Sequence, residues 1–362
     1  MISSEYYVVN TYAALAIERY LTVREPEIGI YRVGDQYKPF VPEMLKNLFD
    51  VIKRRQKMGA EHHSFNENDY SMRCIMRILC LLKTDVLPFA QICMSELILI
   101  LKEVSKNPQS PTFSHYLFES IAVIVKTLGT SDPSTVHNLE MMLLPPFQFI
   151  LMQDVVEYSP YVFQIMALLL ELNPNNISEA YASLFPSLLI PALWERTGNI
   201  PAIVRLLQAY LRKSQGGASL LQYLEGILGI FQKLVGSKLH DHEGFYLIES
   251  IVQYLPLDAF RQYVPTIWKL LFLRLTKSQT GKFLRIFTIF VSLFCACHSP
   301  DFVISSIDEI QEGYEVHFLC SFLIEVKFIG SFKMFSVCGF RMSKQLAGTW
   351  RERFAAWECR AS

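Results

Sequence analysis

The chain has 362 residues, 51% hydrophobic and 19% charged, with 34 Lys and Arg balancing 34 Asp and Glu. That balance leaves no net field to recruit nucleic acid or an anionic membrane. The charged fraction lies below the roughly 25% usual for soluble domains, so much of the chain must be packed inside something.

Ser4-Glu5 can cap a first helix in which Tyr12, Leu15, Ala16 and Tyr20 are expected to form a buried stripe. With no partner before that stripe, a preceding repeat is expected to be missing from the chain. Pro26, Gly29 and Gly34 mark a loop over 21–36, and a helix follows over 39–54 with Pro39 and Pro42 in its first turn. The basic run Lys53–Lys57 then leads into a polar loop ending near Asn66. Helices are predicted over 67–83, 86–106, 112–128, 133–151, 155–172, 177–193, 201–212, 218–235, 240–255, 257–275 and 280–297. Between them stand Asn107–Pro111, Gly129–Pro133, Asn173–Asn176 and Ser214–Gly217, whose Ser, Asp and Asn are ready N-caps.

Tyr181–Leu211 shows the unit plan. An apolar helix over 184–193, bent by Pro186 and Pro191, ends at Trp194, and the turn Glu195–Asn199 leads to a second helix with Pro201 in its first turn. Ile203, Leu206, Leu207 and Tyr210 place one apolar face on that helix, and Arg205, Gln208 and Arg212 fall elsewhere. Such a hairpin is stable only when stacked on similar neighbours. Every second helix starts roughly 40–45 residues after the last, the period of HEAT or armadillo arrays, and two helices per unit favour HEAT. The expected fold is therefore all-α, a right-handed α-solenoid of HEAT-type hairpins over residues 1–312. Strand signals are nearly absent before Phe302. Residues 313–362 lose the pattern and read as a divergent tail.

Candidate chemistry is sparse. Most of the eight cysteines sit in apolar helical runs, as reduced core residues of an intracellular protein. His62-His63 reads as a solvated loop, Cys295-Ala296-Cys297-His298 as a helix end and His240–Glu243 as helix capping, because none has the neighbours that a metal site needs. The basic run Lys53–Lys57 reads first as a solvated helix end and second as a contact for an acidic partner. No phosphate-binding loop, nucleophile elbow or dinucleotide fingerprint is present, so no catalysis, cofactor or metal is expected. The apolar runs Phe283–Cys297 and Phe318–Phe340 are too short or too interrupted by charge to suggest membrane insertion.

Trp194–Pro201, together with Glu67–Met72, Ile75-Met76-Arg77, Ser105–Pro108, His115–Glu119, Pro160–Gln164, Phe231–Leu234 and Asp241–Tyr246, resembles the exportin-2 family. These importin-α re-exporters (cellular apoptosis susceptibility proteins) belong to the importin-β superfamily of HEAT solenoids. The collinear match runs from about Tyr12 to Gln311, and the loop Lys53–Asn66 is similar to that of plant members. The resemblance implies nuclear export of importin-α with Ran-GTP, contact with nuclear pore proteins, and shuttling between nucleus and cytoplasm, all by non-catalytic binding. It further implies a chain truncated at both ends of the array. In such solenoids the second helix of each hairpin lines the concave face. Glu119, Lys126, Gln164, Arg205, Gln208, Glu249, Gln253, Lys282 and Arg285, with Arg196 and Asn199 from the turn, are thereby the expected partner-facing residues. The alternative is a HEAT scaffold in an assembly unrelated to transport.

Overall fold

In the computed structural model, residues 1–24, 31, 33, 35–54, 56–58, 62–174, 177–214, 218–277 and 280–310 are described. They fall into two compact units, divided at Gln215–Gly216. The tail over 313–362 lies outside the described residues.

In the first unit, helices α1 (Tyr7–Thr22), α2 (Val41–Lys53), α3 (Asp69–Leu82), α4 (Ala90–Val104) and α5 (Pro111–Ser131) are followed by α6 (Val136–Met152), α7 (Ser159–Leu172), α8 (Glu179–Leu188) and α9 (Ile200–Ser214). Helices α1, α3, α5, α7 and α9 pack side by side in that order, while α2, α4 and α6 lie on α3, α5 and α7 as the other arm of each hairpin. This is the HEAT plan. The eighth helix joins it through its aromatics. Tyr210 Oη donates to the Tyr181 carbonyl at 2.7 Å, Tyr181 Oη donates to the Met166 carbonyl at 2.9 Å, and Phe185 packs edge-on against Tyr210.

The second unit repeats the plan with α11 (Leu224–Gly236) on α12 (Asp241–Tyr254), then α14 (Val264–Lys277), α15 (Gly281–His298) and α16 (Pro300–Asp308). Short helices α10 (Ala218–Leu221) and α13 (Leu257–Phe260) precede the hairpins. Gly244 lets α11 and α12 approach closely, because a Cβ there would stand 2.8 Å from Val235 Cγ2 and 3.2 Å from the Val235 backbone nitrogen. Gly244→Val is therefore expected to destabilise the second unit by about 1–3 kcal/mol through overpacking. A thermal melt by circular dichroism checks this, and an unchanged or raised Tm would contradict the close approach.

Side-chain oxygens of Asn68, Ser110, Thr280 and Ser299 accept from the backbone N–H groups of Ser71, Phe113, Phe283 and Phe302, so polar punctuation does start these helices. Prolines shorten several predicted ones. The helix predicted over 86–106 begins as a 3₁₀ segment, Lys83–Phe89, holding Pro88, and only Ala90 onward is α-helical. The helix predicted over 184–193 forms only as far as Leu188, as the end of α8, with Pro186 inside it. Ile190 before Pro191 is extended, since proline disfavours the helical region for its predecessor, and Pro191–Glu195 is a separate 3₁₀ turn. The helices predicted from 155, 218 and 257 are likewise delayed or divided by turns.

Two further expectations fail. A two-stranded antiparallel hairpin, β1 (Gln56–Met58) with β2 (His62–Ser64), stands where a loop was predicted. The first helix is also turned about its axis. Asn10, Ala14, Glu18 and Leu21 are buried, whereas Tyr12 and Tyr20 are 68% and 60% exposed. Two polar contacts to α3 set this rotation. Asn68 Nδ2 donates to Thr11 Oγ1 at 2.7 Å, and Arg73 Nη2 donates to Glu18 Oε1 at 3.0 Å. An apolar-periodicity argument cannot see a face held by an ion pair.

Two helical stretches, Asp69–Val104 and Gly281–His298, are long and apolar enough to cross a bilayer. The first is interrupted at Lys83, which takes φ 50°, and both bury apolar stripes against neighbouring helices.

Candidate partner-binding surface

On each helix of the α3–α9 layer, one stripe stays out of the core. On α5 it runs through Thr112, Tyr116, Glu119, Val123 and Lys126, on α7 through Pro160, Gln164 and Glu171, and on α9 through Pro201, Arg205, Gln208 and Arg212. Positions three, four and seven apart share a helix face, so each set forms one continuous strip. Glu119, Lys126, Gln164 and Arg205 are exposed there and Gln208 is half-buried. Of these, Glu119, Lys126 and Gln164 make no hydrogen bond or ion pair among the described residues. Arg205 is committed within the layer: its Nε and Nη2 donate to the two carboxylate oxygens of Glu171 at 2.9 and 2.8 Å.

The turn before α9 departs from expectation at Asn199. Trp194 is buried and donates its indole N–H to the Leu188 carbonyl at 2.8 Å, as a core residue. Arg196 makes a two-pronged contact with Asp154, its Nη2 donating to Oδ2 at 2.7 Å, and this guanidinium holds the Asp154 carboxyl below its usual range. Asn199, expected to face a partner, is only 2% exposed. It closes the 3₁₀ turn Thr197–Asn199, its N–H donating to the Arg196 carbonyl at 2.9 Å, and that turn packs on α7. A buried side chain cannot present itself to a partner, so Asn199 leaves the candidate set.

In the second unit, Gln253 on α12 and Arg285 on α15 are exposed, without a hydrogen bond or ion pair among the described residues. Lys282 is engaged instead, its Nζ 3.0 Å from His242 Nδ1 and 3.8 Å from Asp241 Oδ1. Burial, then the adjacent ammonium of Lys282, lowers the pKa of the His242 imidazole.

Glu249 is half-buried, and burial alone pushes its carboxyl up to about 7. The sign follows from linkage. A carboxyl with a raised folded pKa favours the folded state once protonated, and that contribution is lost as pH rises from about 4.5 through about 7. Glu249→Gln is expected to raise the urea midpoint at pH 8 and to leave it nearly unchanged at pH 4.5. An equal change at both pH values would contradict this.

Arg73 and Arg77 on α3 were not anticipated, although their i, i+4 spacing on an otherwise apolar helix is the same signal that marked α9. Both converge on the buried Glu18, at 3.0 and 3.6 Å from its Oε1. No group of three metal-ligating side chains exists among the described residues. In the Cys295–His298 segment, His298 Nε2 lies 2.9 Å from the Val252 carbonyl, and burial raises the thiol pKa values of Cys295 and Cys297.

The family model of the CAS/CSE protein C-terminus matches residues 18–330. Exportin-2 of Oreochromis niloticus is 42% identical over 314 residues, covering 86% of this chain and 31% of that protein. Exportin-2 of Homo sapiens is 43% identical over 296 residues, covering 81% and 30%. The solved structure of the exportin Cse1 in its cargo-free, cytoplasmic state aligns with a TM-score of 0.76 at 32% identity, covering 89% of this chain and 33% of that one. The chain thus spans about a third of the length of the relatives it matches. Paired helical layers with a solvent-facing polar strip on the second helix of each hairpin, and this degree of identity along most of the chain, have one reading: the chain belongs to the CAS/CSE protein family.

Proposed function

We propose that this chain is a segment of a nuclear transport receptor that acts by binding alone, taking importin-α together with Ran-GTP, with the helix layer of α3, α5, α7 and α9 as the candidate surface of the first unit and the exposed Gln253 and Arg285 as separate candidates in the second. It shuttles between nucleus and cytoplasm and meets nuclear pore proteins on the way. The observation that carries this reading is the extended identity with exportin-2 over four-fifths of the chain. The exposed residues Glu119, Lys126, Gln164, Gln253 and Arg285 add polar groups with no hydrogen bond or ion pair inside the described chain, which is what a wet, exchangeable protein interface uses.

Arg196, Arg205 and Lys282 have a different role in this proposal. Their side chains hold neighbouring elements in place, so they shape the surface more than they supply it. A pull-down with purified importin-α and Ran loaded with GTP tests the function. Binding weaker than that of a full-length exportin-2, and lost with Ran-GDP, is expected. Retention no greater than on empty resin would overturn the reading.

A further inference from the structure

Glu18 is 2% exposed, and it carries the only negative charge in ion-pair contact with three guanidinium groups among the described residues. Arg73 Nη2 bonds its Oε1 at 3.0 Å, Arg77 Nε stands 3.6 Å from the same oxygen, and Arg19 Nε stands 3.9 Å from Oε2. One carboxylate cannot neutralise three arginines. The Nε–H groups of both Arg73 and Arg77 are also shielded from water without any hydrogen-bond acceptor. An unmade bond of this kind is costly, more so when the group is charged. The two side chains are not fully covered: that of Arg73 is about a quarter exposed and that of Arg77 about two-fifths. Tyr116 on α5 flanks them, its ring 6.0 Å from Arg73 Cζ. Glu119, the one acidic residue of α5, makes no ion pair with either arginine among the described residues.

We propose that Arg73 and Arg77, backed by Glu18 and flanked by Tyr116, form an anion-accepting anchor that takes a side-chain carboxylate from an acidic peptide segment of a protein partner. Arg73 already donates to one carboxylate oxygen, with Arg77 beside the same atom, and guanidinium groups are suited to carboxylate recognition. The surplus charge is small, so it matches a monoanion better than a doubly charged phosphate. The anchor lies in the layer assigned to partner binding above, and it depends on that reading only for which protein carries the segment.

The test uses a fluorescent peptide of ten glutamates, titrated with the whole chain at low salt and followed by anisotropy. Binding that weakens with rising salt is expected, with about a tenfold loss for Arg77→Gln, the scale of one charge-assisted hydrogen bond. That variant leaves the Arg73–Glu18 bond in place, so folding, checked by circular dichroism, is retained. Arg205→Gln, whose guanidinium is already occupied by Glu171, should bind the peptide as the parent chain does. No binding by the parent chain, an unchanged affinity in Arg77→Gln, or an equal loss in Arg205→Gln would each overturn the anchor. So would displacement of the peptide by inorganic phosphate at concentrations where chloride has no effect, which would make phosphate the ligand. Because the probe is a peptide alone, failure of the importin-α pull-down does not affect this outcome.

Discussion

Trp268→Ala is expected to destabilise the second unit by about 4 kcal/mol, in the range found when a large aromatic is removed from a core. Trp268 is fully buried on α14 and stacks on Phe272 and Phe294, with Phe287 and Phe290 against its other edges. It fastens α14 to both α15 and α16, since its Nε1 also donates to Ser306 Oγ at 2.9 Å. The alanine variant leaves a cavity walled by rigid phenyl rings that cannot collapse into it. It does not strand the hydroxyl, because Ser306 Oγ still donates to the Val303 carbonyl at 2.8 Å. The cost is therefore mainly one of packing. Trp268→Phe should recover about half of it. Urea unfolding followed by circular dichroism measures both, and fitting must allow a separate transition for each unit. A loss under about 1 kcal/mol for the alanine variant would mean that these rings are not a packed core.

The second large effect is electrostatic. Arg274→Met should cost about 3–5 kcal/mol, because it leaves the Asp241 carboxylate, 1% exposed, without its buried partner. Arg274 is 7% exposed, its Nη2 donates to Asp241 Oδ2 at 3.1 Å, and its guanidinium lies 5.0 Å from the Phe283 ring centre. The His242 backbone N–H, at 2.9 Å, and the more distant Lys282 ammonium offset part of the loss, which favours the lower end of that range. Adding Asp241→Leu to Arg274→Met removes the stranded charge and should restore most of the stability, since an apolar pair can replace a buried ion pair at little cost. If the double variant were as unstable as the sum of the two singles, the pair would not be coupled. The double-mutant cycle reads that coupling directly.

Much of this architecture was legible in the linear chain. The alternation of apolar helices with Asn-Pro, Gly-Thr-Ser-Asp-Pro and Ser-Gln-Gly-Gly separators, at a period of roughly 40–45 residues, identifies HEAT hairpins because each helix has an apolar face only a neighbour can cover. Glu119, Lys126 and Gln164 are exposed on the second helices of their hairpins, where the family resemblance implied they would be. Helix bounds near Pro88 and Pro191 were less legible. Proline is compatible with the first turn of a helix, with a 3₁₀ segment or with a break, and the choice depends on what packs nearby.

The repeat plan, the helix pairs and the family follow from local periodicity and residue identity. Tertiary structure alone decided which polar residues stay available to a partner. Asn199 turns inward, Arg205 and Lys282 bond within the structure, and Glu18 draws Arg73 and Arg77 together across α1 and α3 while turning Tyr12 and Tyr20 out to solvent. The physical reason is that helical period sets the face on which a side chain lies. Whether that side chain is free depends on charges brought close by residues tens of positions away, and one chain's periodicity carries no record of those distances.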